Sequence, residues 1–161
     1  TEQVAEQRRT ERQDGLFGRR LTHGEGLSDD TADLYDNAFA LLALSQAARA
    51  GADMARGTAD ETARTVTSLL PRPEAHGGYF ECLPAPSVRS QNPHMHLLEA
   101  FLAHARARPG TDSLDRAEAL VSLMRTRFLT TSPVWLREVF APDWGPADGD
   151  RIETGHQFEW A

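Results

Sequence analysis

Apolar side chains recur at three- and four-residue spacing in four stretches of this chain, separated by short extended runs bounded by glycine or proline. The first stretch takes Ser28, Asp29 and Asp30 as caps and runs to about residue 50, where Gly51 ends it. Leu34, Ala38, Phe39, Leu41, Leu42 and Ala43 make it apolar around much of its circumference, which predicts a helix packed on several sides. The second, over 52–70, has a narrower face of Ala59, Ala63, Val66, Leu69 and Leu70, so it is expected outside the first; Pro71 and Pro73 stop it. The third, over 93–107, opens on Asn92-Pro93, a capping side chain followed by a proline that has no N–H to leave unpaired. Leu97, Leu98, Phe101, Leu102 and Ala105 form its stripe, and Pro109-Gly110 closes it. The fourth starts at Asp112 or Ser113 and reaches Phe128, with Leu114, Ala117, Leu120, Val121 and Met124 expected inward.

Between these helices lie Leu16–Leu21 before the turn His23-Gly24-Glu25-Gly26, Gly77–Leu83, and Val134–Phe140, the last alternating as a strand does. Residues 2–13 read as a polar helix, and a further helix begins at Gly155. Extended loop, buried helix and outer helix therefore recur about every 55–65 residues, the signature of a repeat architecture. Paired inner and outer helices in this order predict an all-α fold, an (α/α)6 toroid about half complete, with short β-hairpin-like loops. One partial barrel domain is expected over 1–161, truncated at both ends, because the chain starts inside a helix and stops as another begins. Loops at one end of such a ring would carry the site.

Composition narrows the function. A chain of 161 residues suits one domain with a real core. The formal charge of −7 argues against a nucleic-acid groove, which needs a basic face. The single cysteine, Cys82, cannot form an intramolecular disulfide, and no stretch reads as a signal peptide or membrane span, which points to the cytoplasm.

Two helix starts carry candidate chemistry. Asn92 and His96, four apart, share one side of a first turn, and His156 and Glu159, three apart, share another. Each has a plainer reading on its own: Asn92 as a cap, His96 as a satisfied core histidine, His156–Glu159 as a helical ion pair. His94 and His96 suggest a metal pair, but helix positions two apart point roughly 200° from each other, so no metal site is assigned. His76 and His104 read as surface residues, Arg89 and Glu99 as a buried pair, and Trp135, Trp144 and Trp160 as core.

Four motifs in order resemble the N-acylglucosamine 2-epimerase superfamily: Asp33-Leu34-Tyr35-Asp36-Asn37-Ala38-Phe39, Gly77-Gly78-Tyr79-Phe80-Glu81, Asn92-Pro93-His94-Met95-His96-Leu97-Leu98-Glu99-Ala100, and Gly155-His156-Gln157-Phe158-Glu159-Trp160. Its bacterial mannose isomerase and mannose 2-epimerase branch is the most similar. The resemblance implies an (α/α)6 barrel whose inner helices present histidines to a ring-opened sugar, with no metal or other cofactor. It implies that Asn92 and His96 match active-site residues of one inner helix, that His156 and Glu159 match a catalytic histidine and its carboxylate partner on the next, and that Tyr35 lies on the substrate side. Asn37 departs from the pattern, since relatives often have histidine there. An arginine upstream and a second general-base histidine downstream, both used by the family, have no counterpart in this chain.

Removing the proton α to an open-chain carbonyl gives a cis-enediolate, which needs a base of near-neutral affinity and donors aimed at the oxygen that gains charge. Re-protonation at C1 gives the ketose, and at C2 from the other face the epimer. The resemblance gives His156 the acid–base role and lets Glu159 fix its tautomer or hold a sugar hydroxyl. His96 and Asn92 would polarise the carbonyl. The expected partner is a free sugar such as mannose, with His96 and His156 facing one shared cavity. An (α/α)6 hydrolase or lyase would need two carboxylates across a glycosidic bond, and a non-catalytic sugar-binding remnant stays the third reading.

Overall fold

The computed structural model describes residues 12–70, 77–86, 88–147, 149 and 151–161. The helix expected over 2–13, the stop signals Pro71 and Pro73, and His76 lie almost wholly outside them. The chain is helix-rich, with β1 (Gly18–Thr22), β2 (Gly26–Asp33), α1 (Leu34–Arg49), α2 (Asp53–Leu69), β3 (Cys82–Leu83), β4 (Arg89–Ser90), α3 (Asn92–Ala107), α4 (Ser113–Leu123), a π-turn over Met124–Phe128, β5 (Val139–Phe140) and α5 (Thr154–Glu159). The all-α expectation therefore needs correcting. An antiparallel sheet of order β1-β2-β3 and a two-stranded ladder β4-β5 accompany the helices.

The largest departure is at 26–33, expected to open a helix at its serine and aspartates. Those residues form β2, which pairs with β1 on one side and, through Ala32 and Asp33, with Leu83 and Cys82 of β3 on the other. Asp33 is the true cap: its carboxylate accepts from the Tyr35 N–H at 2.9 Å. Buried Asn37 ties the two elements together. Its amide donates to the Asp33 carbonyl at 2.8 Å and the Phe17 carbonyl at 3.1 Å, and its carbonyl accepts the Phe17 N–H at 2.9 Å.

Inner helices α1 and α3 pack along each other, with α2 against α1 and α4 against α3. Leu34, Ala38 and Leu41 of α1 and Leu97, Ala100 and Phe101 of α3 are fully buried between them. On α4, Ala117 and Leu120 face inward as the periodicity predicts, while Leu114 is exposed. The helix expected to reach Phe128 does so, but its last turn loosens to π geometry, delivering Phe128 into a ring cluster with Phe140, Trp144, His94 and Trp160.

The alternating run 134–140 is a strand only at Val139–Phe140. The Gln157 side chain takes the backbone upstream: its amide donates to the Leu136 carbonyl at 3.1 Å and its carbonyl accepts the Leu136 N–H at 2.8 Å. That side chain covers one edge of Leu136, and an antiparallel bridge to Leu129 covers the other. Arg89 is buried not with Glu99 but between two loops. It donates to the Gly77 and Pro142 carbonyls at 2.9 and 3.2 Å, lies 4.0 Å from Glu81 and stacks 3.5 Å over Trp144.

Candidate active site

Tyr35, at the start of α1, touches His96, one turn into α3, with ring centroids 4.9 Å apart and nearly perpendicular. The N-termini of the two inner helices therefore lie at the same end of the fold. Phe39 flanks the same imidazole at 4.7 Å. His96 Nδ1 is 2.8 Å from Glu99 Oε2, one turn further on. Glu99 thus serves the candidate site and not Arg89. Its acceptor-only carboxylate makes Nδ1 the donor and leaves Nε2 without a partner among the described residues.

Asn92 shares that face, one turn earlier. It is not the cap: Gln91 occupies the cap position, and Asn92 is the first helical residue, followed by Pro93. The Asn92 carbonyl oxygen is buried with no hydrogen-bond partner among the described residues.

His156 opens α5 and is held from the other side of the same helix start. Its Nδ1 is 2.9 Å from Glu138 Oε2, which also receives the Gln91 amide at 2.8 Å. Trp160 Nε1 donates to the Gln91 carbonyl. The ladder register explains why Gln91 and Glu138 meet: Ser90 pairs with Val139, so the next positions outward are opposed, and the Gln91 N–H donates to the Glu138 carbonyl at 3.1 Å. The expected tautomer partner, Glu159, is exposed and does not bond His156. Glu138 went unrecognised in the sequence because it lies 18 positions before His156; only the ladder brings them together.

The remaining polar clusters are saturated. His94, fully buried, donates from Nδ1 to the Ser90 carbonyl at 2.9 Å and accepts the Tyr79 N–H on Nε2 at 3.0 Å. The backbone at Gly78 must pass so close that an added Cβ would lie 2.8 Å from Trp144 and 3.2 Å from His94, with φ +84° besides. His104, expected on the surface, is 2 % exposed, with Nδ1 2.7 Å from Ser113 Oγ and Nε2 3.0 Å from Asp60. Arg108 grips Asp60 through two nitrogens at 2.8–3.1 Å and holds its carboxyl below the ordinary value of 3.8, with the His104 bond acting in the same sense against burial. Burial raises the Tyr79 phenol, the nearby Arg116 opposing it.

Tyr35, Asn92 and His96 thus form one group and His156 another, linked through Gln91 and the first turn of α3. Three open clefts among the described residues lie elsewhere: one of about 420 Å3 between α2 and α4 beside His104, another of about 400 Å3 at Gly77–Tyr79 and α4, and a groove at the β1–β2 hairpin. None of these is lined by Asn92, His96 or His156. No helix among the described residues is long and apolar enough to cross a membrane.

Comparison with known proteins identifies the family. The sequence pattern of N-acylglucosamine 2-epimerase (GlcNAc 2-epimerase) matches residues 2–161. A mannose-6-phosphate isomerase of Rhizobium meliloti (strain 1021) is 37% identical over 160 residues, covering 92% of this chain and 40% of that protein. A crystal structure of D-mannose isomerase superposes with a TM-score of 0.75 at 26% identity, over 89% of this chain and 38% of that one. The cellobiose 2-epimerase of Spirochaeta thermophila does so with a TM-score of 0.83, also at 26% identity, over 92% of this chain and 41% of that one. The chain therefore spans about two fifths of the length of the relatives it matches.

Proposed function

The chain belongs to the N-acylglucosamine 2-epimerase family, and from that premise we propose that it is the part of a sugar isomerase or 2-epimerase that supplies one acid–base histidine and one carbonyl-polarising face. The observation that carries this reading is a difference among its histidines. His94 and His104 spend both ring nitrogens on protein partners, whereas His96 and His156 keep Nε2 unpartnered among the described residues.

In this reading His156 takes the C2 proton of an open-chain aldose of the mannose type. The C–H electron pair becomes the C1–C2 double bond of the cis-enediolate, and the charge passes to O1. The Asn92 amide N–H donates to that oxygen, and His96, oriented by Glu99, donates from Nε2 when its ring is doubly protonated. Tyr35 lines the sugar side beside His96, and the exposed Glu159 holds a hydroxyl. Residues 1–161 form a partial (α/α)6 toroid acting in the cytoplasm, and the remaining helix pairs would close the wall that turns the two histidine groups into one cavity.

The test is deuterium wash-in. Mannose incubated with the protein in D2O should gain deuterium at C2 as fructose or the epimer forms. Turnover with complete retention of the C2 hydrogen rejects the enediolate.

A further inference from the structure

A neutral imidazole has one bare nitrogen, so the tautomer of His156 decides whether it can serve as a base. The donors around Gln91 fix it. Trp160 Nε1 can only donate, and it points at the Gln91 carbonyl oxygen. That orients the amide, turning its NH2 group toward Glu138 Oε2 at 2.8 Å. The same oxygen lies 2.9 Å from His156 Nδ1, and an ionised carboxylate can only accept. The proton therefore sits on Nδ1. The 3.2 Å separation of the Gln91 amide nitrogen from Nδ1 is then two donors converging on one oxygen. A bare Nδ1 would face the carboxylate with no proton between them. Nε2 is thus the basic atom, and the His156 side chain is 22 % exposed while Glu138 is 4 % exposed.

We propose that Glu138 is a positioning residue for proton transfer, oriented by Gln91 and through it by Trp160. The inference rests on the sugar-isomerising reading of the same site. Glu138 touches no substrate. It holds the ring and its tautomer, and when Nε2 accepts the C2 proton its negative charge offsets the imidazolium that forms. The proton returns from Nε2 to C1, giving the ketose, or to the same face of C2, regenerating the aldose, so no oxidant or co-reactant is consumed; the epimer takes its proton from a donor on the opposite face.

Two measurements test this. In the 15N-labelled 161-residue chain above neutral pH, long-range proton–nitrogen correlation should show His156 protonated on Nδ1 and bare on Nε2. Glu138→Ala should populate both tautomers. Deuterium wash-in should fall about 10²-fold in Glu138→Ala with KM changed by no more than about 2-fold, the size expected for loss of a ligand-orienting carboxylate. Glu138→Gln, which keeps the shape and one acceptor oxygen, should fall between, and it carries the test if the alanine variant does not fold. Wild-type protein with Nε2 protonated overturns the proposal, as does wild-type exchange in both variants. A wild-type chain with the Nδ1–H tautomer but no deuterium uptake overturns the sugar reading and leaves the tautomer lock standing.

Discussion

The two ends of α3 hold similar ingredients and use them differently. At the C-terminal end His104 sits among Ser113, Asp60 and Arg108, with both nitrogens engaged and every bond of the cluster within 3.1 Å. At the N-terminal end His156 meets Glu138 and Gln91 through one nitrogen only. Burial follows the same division, with 2 % side-chain exposure at His104 against 22 % at His156. A carboxylate beside a histidine is therefore no mark of chemistry by itself. An imidazole whose bonds are all spent braces the fold, and one left half-spent can move a proton.

The sharpest way to break this contrast is to remove each ring. His156→Ala should reduce deuterium exchange about 10³-fold, within the range for a lost general base, with thermal stability nearly unchanged. His104→Ala should leave exchange per folded molecule within about 2-fold. Equal losses would erase the distinction. Next in size, His94→Ala should destabilise by about 2–4 kcal/mol in urea unfolding, since it opens a cavity and strands the Tyr79 N–H and the Ser90 carbonyl.

A smaller effect sharpens the comparison through pH. The Asp60 carboxyl is lowered in the folded chain, so its contribution is fully present above the ordinary value of 3.8 and is lost as pH falls through the lower folded value. Asp60→Asn should cost about 1–2 kcal/mol near neutrality. The gap from wild type should stay flat down to about pH 5 and then narrow in acid. A gap that widens in acid would reverse the assignment. Smallest of all, Glu159→Gln should raise KM about 3-fold with kcat little changed, the loss of one exposed charge-assisted hydrogen bond to a sugar hydroxyl. A fall in kcat instead would return Glu159 to the tautomer role.

What the sequence disclosed followed from periodicity and punctuation. The inner helices showed because Leu34, Ala38, Leu41, Leu97 and Phe101 keep a helical interval and are buried accordingly. His96 beside Tyr35 was legible only through the ordered motifs. Misreadings arose where a distant partner overrode a local signal. Ser28-Asp29-Asp30 looks like a cap until β1 claims those residues for a sheet, and Val134–Phe140 alternates like a strand but before Val139 meets only a single bridge to Leu129 and the Gln157 side chain. Arg89 was expected to be buried, but its partners, like the burial of His104 and the role of Glu138, were missed for the same reason: each depends on segments many positions away.

The pairing of Arg89–Ser90 with Val139–Phe140 has an evolutionary corollary. Successive strand residues point to opposite faces, so inserting a single residue between Glu138 and Val139 would turn the carboxylate away from the imidazole while every helix stayed in place. Length variation should therefore be tolerated in the bend around Pro133 and selected against between Glu138 and Phe140. A lineage that abandoned sugar chemistry but kept the scaffold would be expected to lose that spacing first.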